Sequence, residues 1–379
     1  MKLLHLSDLH LGKRINEFSM VDDQEYILNK IIEIIEEEKP DAVIIAGDVY
    51  DKSVPSAEAV EMFDRFLYRI SVKKVKVLVI SGNHDSAERI AFGGRLMDKS
   101  GIYMSPVYRG KIEPVILEDE FGKINFYLLP FIKPTQVRSY YPEKTINSYD
   151  DAISVAIEEM GIDTTKRNVL ITHQFVTGAL RTESEEISVG GSDNVDAGNF
   201  KDFDYVALGH IHRAQKCGSE FIRYSGTPLK YSFSEAKDEK TVTVVNMGEK
   251  GNIELSFIPL KPMRDLVELR GSYEELTLKS FYENTSYQQD YVHITLTDEE
   301  DIPEVLTKLR VIYENIMKLD YDNVRTRHNA VISSASAAVK KSPLEHFSDF
   351  YQLQNGQELN EEQSSFLEEI IRGIWRKEE

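Results

Sequence analysis

The feature that most constrains this chain is a set of five short polar motifs, each placed directly after an apolar, strand-like run. The runs are Lys2–Ser7, Asp41–Ala46, Val75–Ser81, Asn168–Ile171 and Asp204–Leu208. The motifs that follow them are Asp8-Leu9-His10, Gly47-Asp48, Gly82-Asn83-His84-Asp85, Thr172-His173 and Gly209-His210-Ile211-His212. Polar residues that arrive repeatedly at strand ends converge on one edge of a sheet, where open α/β folds keep their active sites. The five motifs together therefore predict one polar cluster.

Between these runs the sequence alternates helical and strand-like patterns. Val21–Glu38 carries isoleucines at helical spacing and ends before Pro40, and further helices are predicted near residues 56–70 and 149–160. Two strands, Lys111–Leu117 and Lys123–Leu129, are separated by a turn at Phe121-Gly122. Strands near 220–224, 240–247 and 252–258 are expected to be antiparallel and to close the domain. The pattern predicts a layered α/β domain over residues 1–260.

The pattern changes around Pro259–Pro262, where a small α/β capping domain is predicted over residues 261–328. Its predicted elements alternate strand, helix, strand, helix and strand: Asp265–Arg270, Tyr273–Lys279, Tyr291–Thr297, Ile302–Leu319 and Asn323–Arg327. No cluster of candidate ligands occurs in this stretch of the sequence.

Residues 329–341 are rich in small side chains and are predicted to form a linker, followed by two helices over residues 342–379. The first helix has a capping box from Ser342 to Glu345, and the second is capped by Asn360. The second helix places an apolar face, which includes Phe366, beside the single tryptophan, Trp375. Two helices cannot bury so much apolar surface alone, so the segment either folds back on the chain or docks on another protein.

Composition limits the class of protein. No apolar stretch approaches the roughly 20 residues that span a bilayer, so no membrane role is expected. The single cysteine, Cys217, excludes an internal disulfide and suits a reducing compartment, which indicates the cytoplasm. The net charge of −19 is unusual for a protein that binds nucleic acid alone, because phosphate neutralisation drives such binding. Either a partner supplies much of any DNA binding, or the acidity reflects solubility only.

The residue types in the five motifs are those of a two-metal site. Asp8 and His10 are two residues apart, so an extended backbone directs both to one side, and Asp48 has two oxygens with which to bridge two ions. The other candidate ligands are an amide oxygen and three imidazoles: Asn83, His173, His210 and His212. Aspartate, histidine and asparagine without a thiolate suit a pair of divalent ions that hydrolyse a phosphoester. Sharing Asp48 gives each ion four protein ligands.

His84 follows a candidate ligand directly and is therefore expected to act beside the metals, by stabilising the transition state or protonating the leaving oxygen. Asp85 is expected to hold either His84 or the turn in place. A single histidine is ordinarily a polar surface residue, but five of the nine histidines fall in these motifs. The remaining four are interpreted as ordinary: His5, His293, His328 and His346.

The motifs resemble those of the calcineurin-like metallophosphoesterase superfamily, and this resemblance implies that the layered α/β domain is a sandwich. Longer stretches are similar to the bacterial SbcD family of nuclease subunits: Leu6–Gly12, Ala46–Asp51, Ser81–Ser86, Gly209–Gln215 and Tyr224–Pro228. The resemblance is specific over the first 235 residues and architectural after about residue 260. It departs from archaeal and eukaryotic relatives at Asp51, where they carry a second histidine that is not a ligand. Bacterial members commonly have aspartate there, and no catalytic role is assigned to it.

The resemblance implies a division of the ligands between two Mn²⁺ ions. One ion would take Asp8, His10, Asp48 and His212, and the other Asp48, Asn83, His173 and His210. It implies ATP-dependent exonuclease activity on duplex DNA and endonuclease activity on single strands and hairpins, in DNA repair, recombination and replication. The implied partner is an SbcC-type coiled-coil ATPase that binds residues 342–379, with a homodimer of this chain inside a heterotetramer.

The sequence motifs are compatible with two other functions. A phosphodiesterase or nucleotidase that acts on a small molecule would use the same ligands, and the acidic net charge favours it weakly. The additional domain and the helical segment favour the nuclease, because a small-molecule hydrolase does not need a docking module. An inactive scaffold is a third hypothesis, and the complete set of ligands argues against it.

Overall fold

The computed structural model describes residues 1–185, 193–324 and 326, together with 344–345, 347–348, 351, 359–360, 363–364, 366–367 and 370–371. The chain divides into two compact units. The first contains Met1–Leu269, Thr277–Ile294 and Leu306–Leu319, and the second contains Arg270–Leu276, Thr295–Val305 and the described part of Asp320–Glu379.

The strands are β1 (Lys2–Leu6), β2 (Arg14–Ile15), β3 (Phe18–Ser19), β4 (Ala42–Ala46), β5 (Lys76–Ile80), β6 (Ile102–Met104), β7 (Val115–Asp119), β8 (Gly122–Leu129), β9 (Arg167–His173), β10 (Phe175–Val176), β11 (Asn194–Val195), β12 (Tyr205–Gly209), β13 (Gln215–Cys217), β14 (Ser219–Tyr224), β15 (Thr241–Met247), β16 (Ile253–Pro259), β17 (Leu266–Gly271), β18 (Tyr291–Leu296) and β19 (Asn315–Tyr321). The helices are α1 (Val21–Glu38), α2 (Ala57–Val72), α3 (Ala87–Ile90), α4 (Gly94–Met97), α5 (Pro134–Tyr140), α6 (Tyr149–Glu158), α7 (Tyr273–Thr277), α8 (Lys279–Tyr282) and α9 (Val305–Leu309).

The first unit contains two six-stranded sheets. One has the order β16-β15-β1-β4-β5-β6 and the other β13-β14-β12-β9-β8-β7. In the first sheet β1, β4, β5 and β6 are parallel, β15 is antiparallel to β1, and β16 is antiparallel to β15. In the second sheet β8, β9, β12 and β14 are parallel. Parallel strands present their carboxyl ends at one edge, so each sheet delivers its loops to the same end.

The sheets pack face to face over an apolar core. Leu3, Ile44 and Leu78 of the first sheet share a fully buried cluster with Phe126 and Ile171 of the second. The outer face of the first sheet is covered by α1 and α2, and that of the second by α6. Alternate side chains of a strand point to opposite faces, and these central strands, which are rich in apolar residues, are buried on both faces. The predicted layered α/β sandwich is confirmed, with layers in the order helix, sheet, sheet, helix.

The helix ends follow local chemistry. The α1 helix stops at Lys39, which adopts the left-handed conformation with φ 48° just before Pro40. The α2 helix starts at Ser56, whose side chain accepts a hydrogen bond from the Ala59 backbone N–H. Both helices occupy the segments that the sequence predicted, because isoleucine spacing and caps are local signals.

Two predictions about strands and helices are wrong. The strand at 219–224 is not only antiparallel: it pairs parallel with β12 on one side and antiparallel with β13 on the other. The long helix predicted over Ile302–Leu319 is instead the short α9 followed by β19, and β19 replaces the strand predicted at Asn323–Arg327. The three strands β17, β18 and β19 form one sheet in the order in which they occur in the chain.

The predicted boundaries at residues 260, 328 and 341 stay predictions. The linker over 329–341, Trp375 and the start of the first C-terminal helix at Ser342 lie outside the described residues. The predicted cap at Asn360 is present: its Oδ1 accepts from the Gln363 N–H at 2.9 Å, and the Gln363 Oε1 accepts from the Asn360 N–H at 3.0 Å.

Candidate metal centre

The five polar motifs meet at the carboxyl end of the sandwich. Asp8 and His10 follow β1, Asp48 follows β4, and Asn83 and His84 follow β5. His173 ends β9, and His210 and His212 follow β12. The two sheets thus contribute opposite halves of one cluster, and the structure brings all seven predicted ligands together.

Four of these residues have a backbone conformation that residues other than glycine rarely adopt. The φ angles are 53° at Asp8, 45° at His10, 46° at Asp48 and 106° at His210. Such conformations cost of order 1–3 kcal/mol each for a residue other than glycine, and they concentrate at functional sites. The chain turns sharply at each strand end, and this turn directs the ligand side chains into the cluster.

Glycines allow close approach of the backbone behind the ligands, between the two sheets at Gly209 and between neighbouring loops of the first sheet at Gly82. A Cβ atom on Gly209 would lie 2.7 Å from the His173 Nδ1 and would also overlap the Ala46 carbonyl oxygen. A Cβ on Gly82 would overlap the carboxylate of Asp48. Packing at the site therefore requires glycine at the positions just before His210 and Asn83.

One half of the cluster contains Asp8, His10 and His212. Each offers a ligand atom, and the three atoms lie within 4.8 Å of one another. The Nε2 atoms of His10 and His212 are 3.1 Å apart. The Asp8 carboxylate also accepts hydrogen bonds from the His210 N–H at 3.0 and 3.2 Å, which ties the two loops together.

The other half is centred on the Asn83 amide oxygen. His173 Nε2 lies 2.9 Å from this oxygen, and His210 Nδ1 lies 3.0 Å from it. Asp48 stands between the halves, with its Oδ2 3.3 Å from His173 Nε2 and 3.7 Å from His10 Nε2. A carboxylate in this position is placed to serve both halves at once.

Burial and neighbouring charges set the protonation of these groups. Burial raises the pKa of Asp8 to about 6. Burial also acts to raise the pKa of Asp48, but the neighbouring His173 outweighs it and holds that pKa well below the usual value. For His173 burial acts in the opposite direction, and the Asp48 carboxylate still raises the pKa to about 9. Burial lowers the pKa values of His10 and His210.

These properties fit a pair of divalent cations. Two carboxylates, Asp8 and Asp48, are almost completely buried among imidazoles, and buried negative charge requires a positive partner. Without a metal the protonated His173 supplies part of that charge, and a bound cation would replace its proton. His173 Nδ1 contacts the Ala46 carbonyl oxygen at 2.8 Å, and a carbonyl only accepts. This bond places a proton on Nδ1 and leaves Nε2 for the cluster.

His84 lies at the open side of this cluster and is only partly buried. Its ring centroid is 4.8 Å from that of His10, edge to face. Its Nδ1 is 2.9 Å from the carbonyl oxygen of Asp51, and its backbone N–H donates to Asp48 Oδ1 at 2.9 Å. The carbonyl fixes Nδ1 as a donor, so Nε2 is the nitrogen left for a substrate.

Asp85 holds the turn. It accepts backbone N–H bonds from Gly82 at 2.9 Å, Val49 at 3.1 Å and Tyr50 at 3.0 Å, which join the loops after β4 and β5. Holding the turn is one of the two roles expected for Asp85, and the hydrogen bonds between described residues show it. The ring of His84 is held by the Asp51 carbonyl instead.

Several groups that support the ligands were not predicted from the sequence. Ser184 and Glu235 lie behind His212, and Gln24 donates to the His10 carbonyl oxygen at 2.7 Å. Asp51, for which no catalytic role is predicted, forms an ion pair with Lys13 at 2.7 Å. None of these supporting roles is marked by a local pattern. Only the tertiary fold brings the residues to the site.

A pocket of about 150 Å³ opens beside Asn83 and His210. Phe131, Phe175 and Lys133 line its walls. The Phe131 ring lies edge-on to His173 with centroids 6.3 Å apart, and the Phe175 ring lies 6.4 Å from His210. The metal-ligand half centred on Asn83 therefore has an aromatic surface next to it.

The remaining histidines take no part in this cluster where the structure describes them. His5 is buried between the sheets and contacts the Tyr205 hydroxyl at 2.9 Å through Nδ1. His293 belongs to β18, and its Nδ1 lies 3.7 Å from the Glu268 carboxylate. His328 and His346 lie outside the described residues.

No helix in the described part of the chain combines the length and apolar character needed to cross a membrane.

Two family models match parts of this chain. The calcineurin-like phosphoesterase family matches residues 1–214, and a family described as type 5 capsule protein repressor C-terminal domain matches residues 262–355. A dimetal phosphatase structure from Danio rerio is 9% identical and covers 69% of this chain and 96% of its own, with a TM-score of 0.39.

Two relatives match over nearly the whole length. The SbcD subunit of nuclease SbcCD from Staphylococcus epidermidis is 32% identical over 382 residues, covering 100% of both chains. The SbcD subunit of the same nuclease from Staphylococcus saprophyticus is 32% identical over 379 residues, covering 99% of this chain and 98% of the relative. The resemblance first carried by the motifs is confirmed. The chain therefore belongs to the calcineurin-like phosphoesterase family and, within it, to the SbcD nuclease subunits.

Proposed function

We propose that this protein is a metal-dependent DNA nuclease that hydrolyses phosphodiester bonds with two divalent ions. The observation that carries the proposal is the two-halved cluster, in which Asp48 lies within 3.7 Å of ligand atoms from both halves. Similarity to nuclease subunits over the full length supports DNA as the substrate class.

The two halves suggest which residues hold each ion. Asp8, His10, Asp48 and His212 would hold one, and Asp48, Asn83, His173 and His210 the other. When bound, the pair supplies an activated water and neutralises charge on the phosphate oxygens. The absence of a thiolate from the set favours Mn²⁺ or a similar oxygen- and nitrogen-preferring ion.

The protein's own residues orient the substrate and move the proton. His84, fixed through Nδ1 by the Asp51 carbonyl, would donate from Nε2 to the departing oxygen. Asp85 keeps the loop that carries His84 and Asn83 at a set distance from the loop that carries Asp48. The pocket walled by Phe131 and Phe175 offers surfaces on which an unpaired base can stack.

The partner and biological role are inferred from the relatives and from the C-terminal segment. Phe366 and Ile370 are 65% and 42% exposed on the helix capped by Asn360. We assign residues 342–379 to docking on an SbcC-type coiled-coil ATPase, which would also compensate for the net charge of −19 on DNA. With this partner the complex would act as an ATP-dependent exonuclease on duplexes and an endonuclease on single strands and hairpins. A homodimer inside a cytoplasmic heterotetramer for DNA repair and recombination completes the proposal.

The first experiment compares cleavage of a linear duplex and of bis-p-nitrophenyl phosphate in Mn²⁺. The variant Asp48→Ala removes the shared carboxylate and is expected to abolish both activities and to lower metal content. Asp163→Ala is the matched control, because Asp163 lies in the loop before β9, at the other end of the strands. Cleavage of DNA that survives in Asp48→Ala would refute the assignment of the site.

Turnover of only the small diester would favour the alternative, a small-molecule phosphodiesterase or nucleotidase, unless the ATPase restores DNA cleavage. Adding the partner to the full-length chain and to a chain that ends at residue 341 separates these cases. The truncated chain is expected to keep diester hydrolysis and to lose capture of the ATPase. Capture by the truncated chain would show that the docking segment lies elsewhere.

A further inference from the structure

Behind the first half of the cluster, His212 is held through its second ring nitrogen. Its Nε2 is the atom that lies 3.1 Å from His10 Nε2. Its Nδ1 lies 2.6 Å from the Ser184 hydroxyl, and that hydroxyl lies 2.7 Å from Glu235 Oε1. The three groups form a chain that runs from the ligand ring to a carboxylate.

The direction of these hydrogen bonds is fixed at the carboxylate end. The Glu235 side chain is fully buried, and its Oε2 lies 2.6 Å from the Lys240 ammonium. Lys240 also donates to the His212 carbonyl oxygen and to Thr227 Oγ1, each at 2.8 Å, so the ammonium is enclosed by acceptors. A carboxylate paired with an ammonium only accepts, which makes Ser184 the donor to Glu235.

A serine hydroxyl has one proton. Because Ser184 gives it to Glu235, the hydroxyl has only lone pairs left for its other two neighbours, His212 Nδ1 and Thr182 Oγ1 at 2.8 Å. Ser184 must therefore accept from His212, and Nδ1 then carries the ring proton. The lone pair of the neutral ring is consequently on Nε2, the nitrogen that faces Asp8 and His10. One tautomer of His212 is thus selected by a residue that lies 28 positions away along the chain.

We propose that Ser184, oriented by Glu235, is a positioning residue that prepares His212 to bind the metal ion of the first half. The inference rests on the proposed function, since it requires His212 to be a ligand. Hydrogen bonds of this kind to the outer nitrogen of a ligating histidine set ring orientation and basicity, and their loss typically costs about 10–100-fold in metal affinity. Among the described residues, the side-chain hydrogen bonds of Ser184 reach Thr182, His212 and Glu235 and none of the second half, which is built on Asn83, His173 and His210.

The alternative explanation is that the same hydrogen bonds only stabilise the position of Ser184 and do not position His212 for the metal. Glu185 accepts from the His212 backbone N–H at 2.7 Å, so this segment is tied to His212 in a second way. Ser232 offers the control that separates the two explanations. Its hydroxyl lies 3.1 Å from the same Glu235 Oε1, and its other side-chain hydrogen bond is to Ser234 rather than to His212.

The test is isothermal titration of Mn²⁺ alone into the full-length protein after treatment with a chelator. Wild type is expected to bind two ions. Ser184→Ala should weaken one of the two by about 10–100-fold and leave the other unchanged. Ser184→Thr, which keeps the hydroxyl, should restore most of the affinity, and Ser232→Ala should match wild type. Thermal unfolding of each metal-free variant reports any structural loss separately.

Three results would overturn the positioning role. The first is unaltered Mn²⁺ affinity in Ser184→Ala. The second is equal weakening of both sites in Ser184→Ala together with a lowered melting temperature, which indicates a structural clamp. The third is weakened Mn²⁺ binding in Ser232→Ala that matches that of Ser184→Ala. Failure of wild type to bind Mn²⁺ would refute the proposed function itself, and the inference with it. The wild-type titration therefore distinguishes the two failures.

Discussion

Replacing His84 by glutamine should slow DNA cleavage while leaving metal content intact. Glutamine retains an amide that can donate to the Asp51 carbonyl oxygen, which His84 Nδ1 contacts at 2.9 Å, but it cannot protonate a leaving oxygen. General acid catalysis contributes typically about 10²–10⁴-fold, which corresponds to about 3–5 kcal/mol in the barrier. At most one hydrogen bond to the carbonyl is lost, about 1 kcal/mol in the free energy of unfolding, so the rate effect should greatly exceed the effect on stability.

Two substrates reveal the role of the proton. Cleavage of DNA expels an alkoxide-like oxygen that needs protonation, whereas bis-p-nitrophenyl phosphate releases a stabilised phenolate. His84→Gln should therefore show its full loss of kcat on DNA and a much smaller loss on the small diester. An equal loss on both substrates would refute protonation of the leaving group and favour charge stabilisation instead.

Metal content decides a further question about His84. One nitrogen of its ring lies within 4.8 Å of ligand atoms of His10 and Asp48, so direct coordination must be tested. We expect His84→Gln to keep both ions when measured by elemental analysis. Loss of one ion in this variant would make His84 a ligand, and the slower cleavage would then report the missing metal rather than a missing proton.

Three further predictions concern stability. Gly209→Ala should lower the melting temperature, because its Cβ would overlap the Ala46 carbonyl and lie 2.7 Å from His173 Nδ1; an unchanged melting curve would show that the sheets can separate there. The hydrogen-bonded Arg167 holds the pKa of the Asp119 carboxyl well below its usual value. Wild type should therefore have a higher free energy of unfolding than Asp119→Asn. This difference should be complete above about pH 4 and should disappear as the pH falls below that value. Unfolding curves from about pH 2 to 7 test the sign, and an advantage that grew with acid would contradict it. Removing the metal with a chelator should lower the melting temperature, since an ion at about 100 times its Kd stabilises the folded state by about 2.7 kcal/mol; identical curves with and without Mn²⁺ would contradict metal binding.

The sequence predicted the parts of the site that depend on short-range signals. Each of the five motifs follows an apolar run directly, and in three of them a glycine stands just before a ligand: Gly47-Asp48, Gly82-Asn83 and Gly209-His210. Because parallel strands share an edge, adjacency in sequence was sufficient to predict convergence in space. The seven candidate ligands could be named for this reason.

The rest depends on tertiary pairing. The segment from Ile302 to Leu319 has apolar residues at helical spacing, yet Asn315–Tyr321 pairs as a strand, since the neighbouring β18 offers hydrogen bonds that local propensity cannot anticipate. Ser184 and Glu235 are 51 residues apart, and neither stands in a recognisable motif. Residues that support a site from behind leave no periodic or local pattern, so only the three-dimensional structure identifies them.

The left-handed backbone at Asp8, His10, Asp48 and His210 has a consequence for how this protein can change over generations. Glycine is the residue that adopts such conformations without penalty, so a ligand-to-glycine replacement would relieve local strain while destroying the centre. Folding and metal binding thus favour different residues at the same positions. In a lineage where selection on the metal site is lost, we expect glycine to appear at these four turns, with a gain in folding stability and a loss of activity.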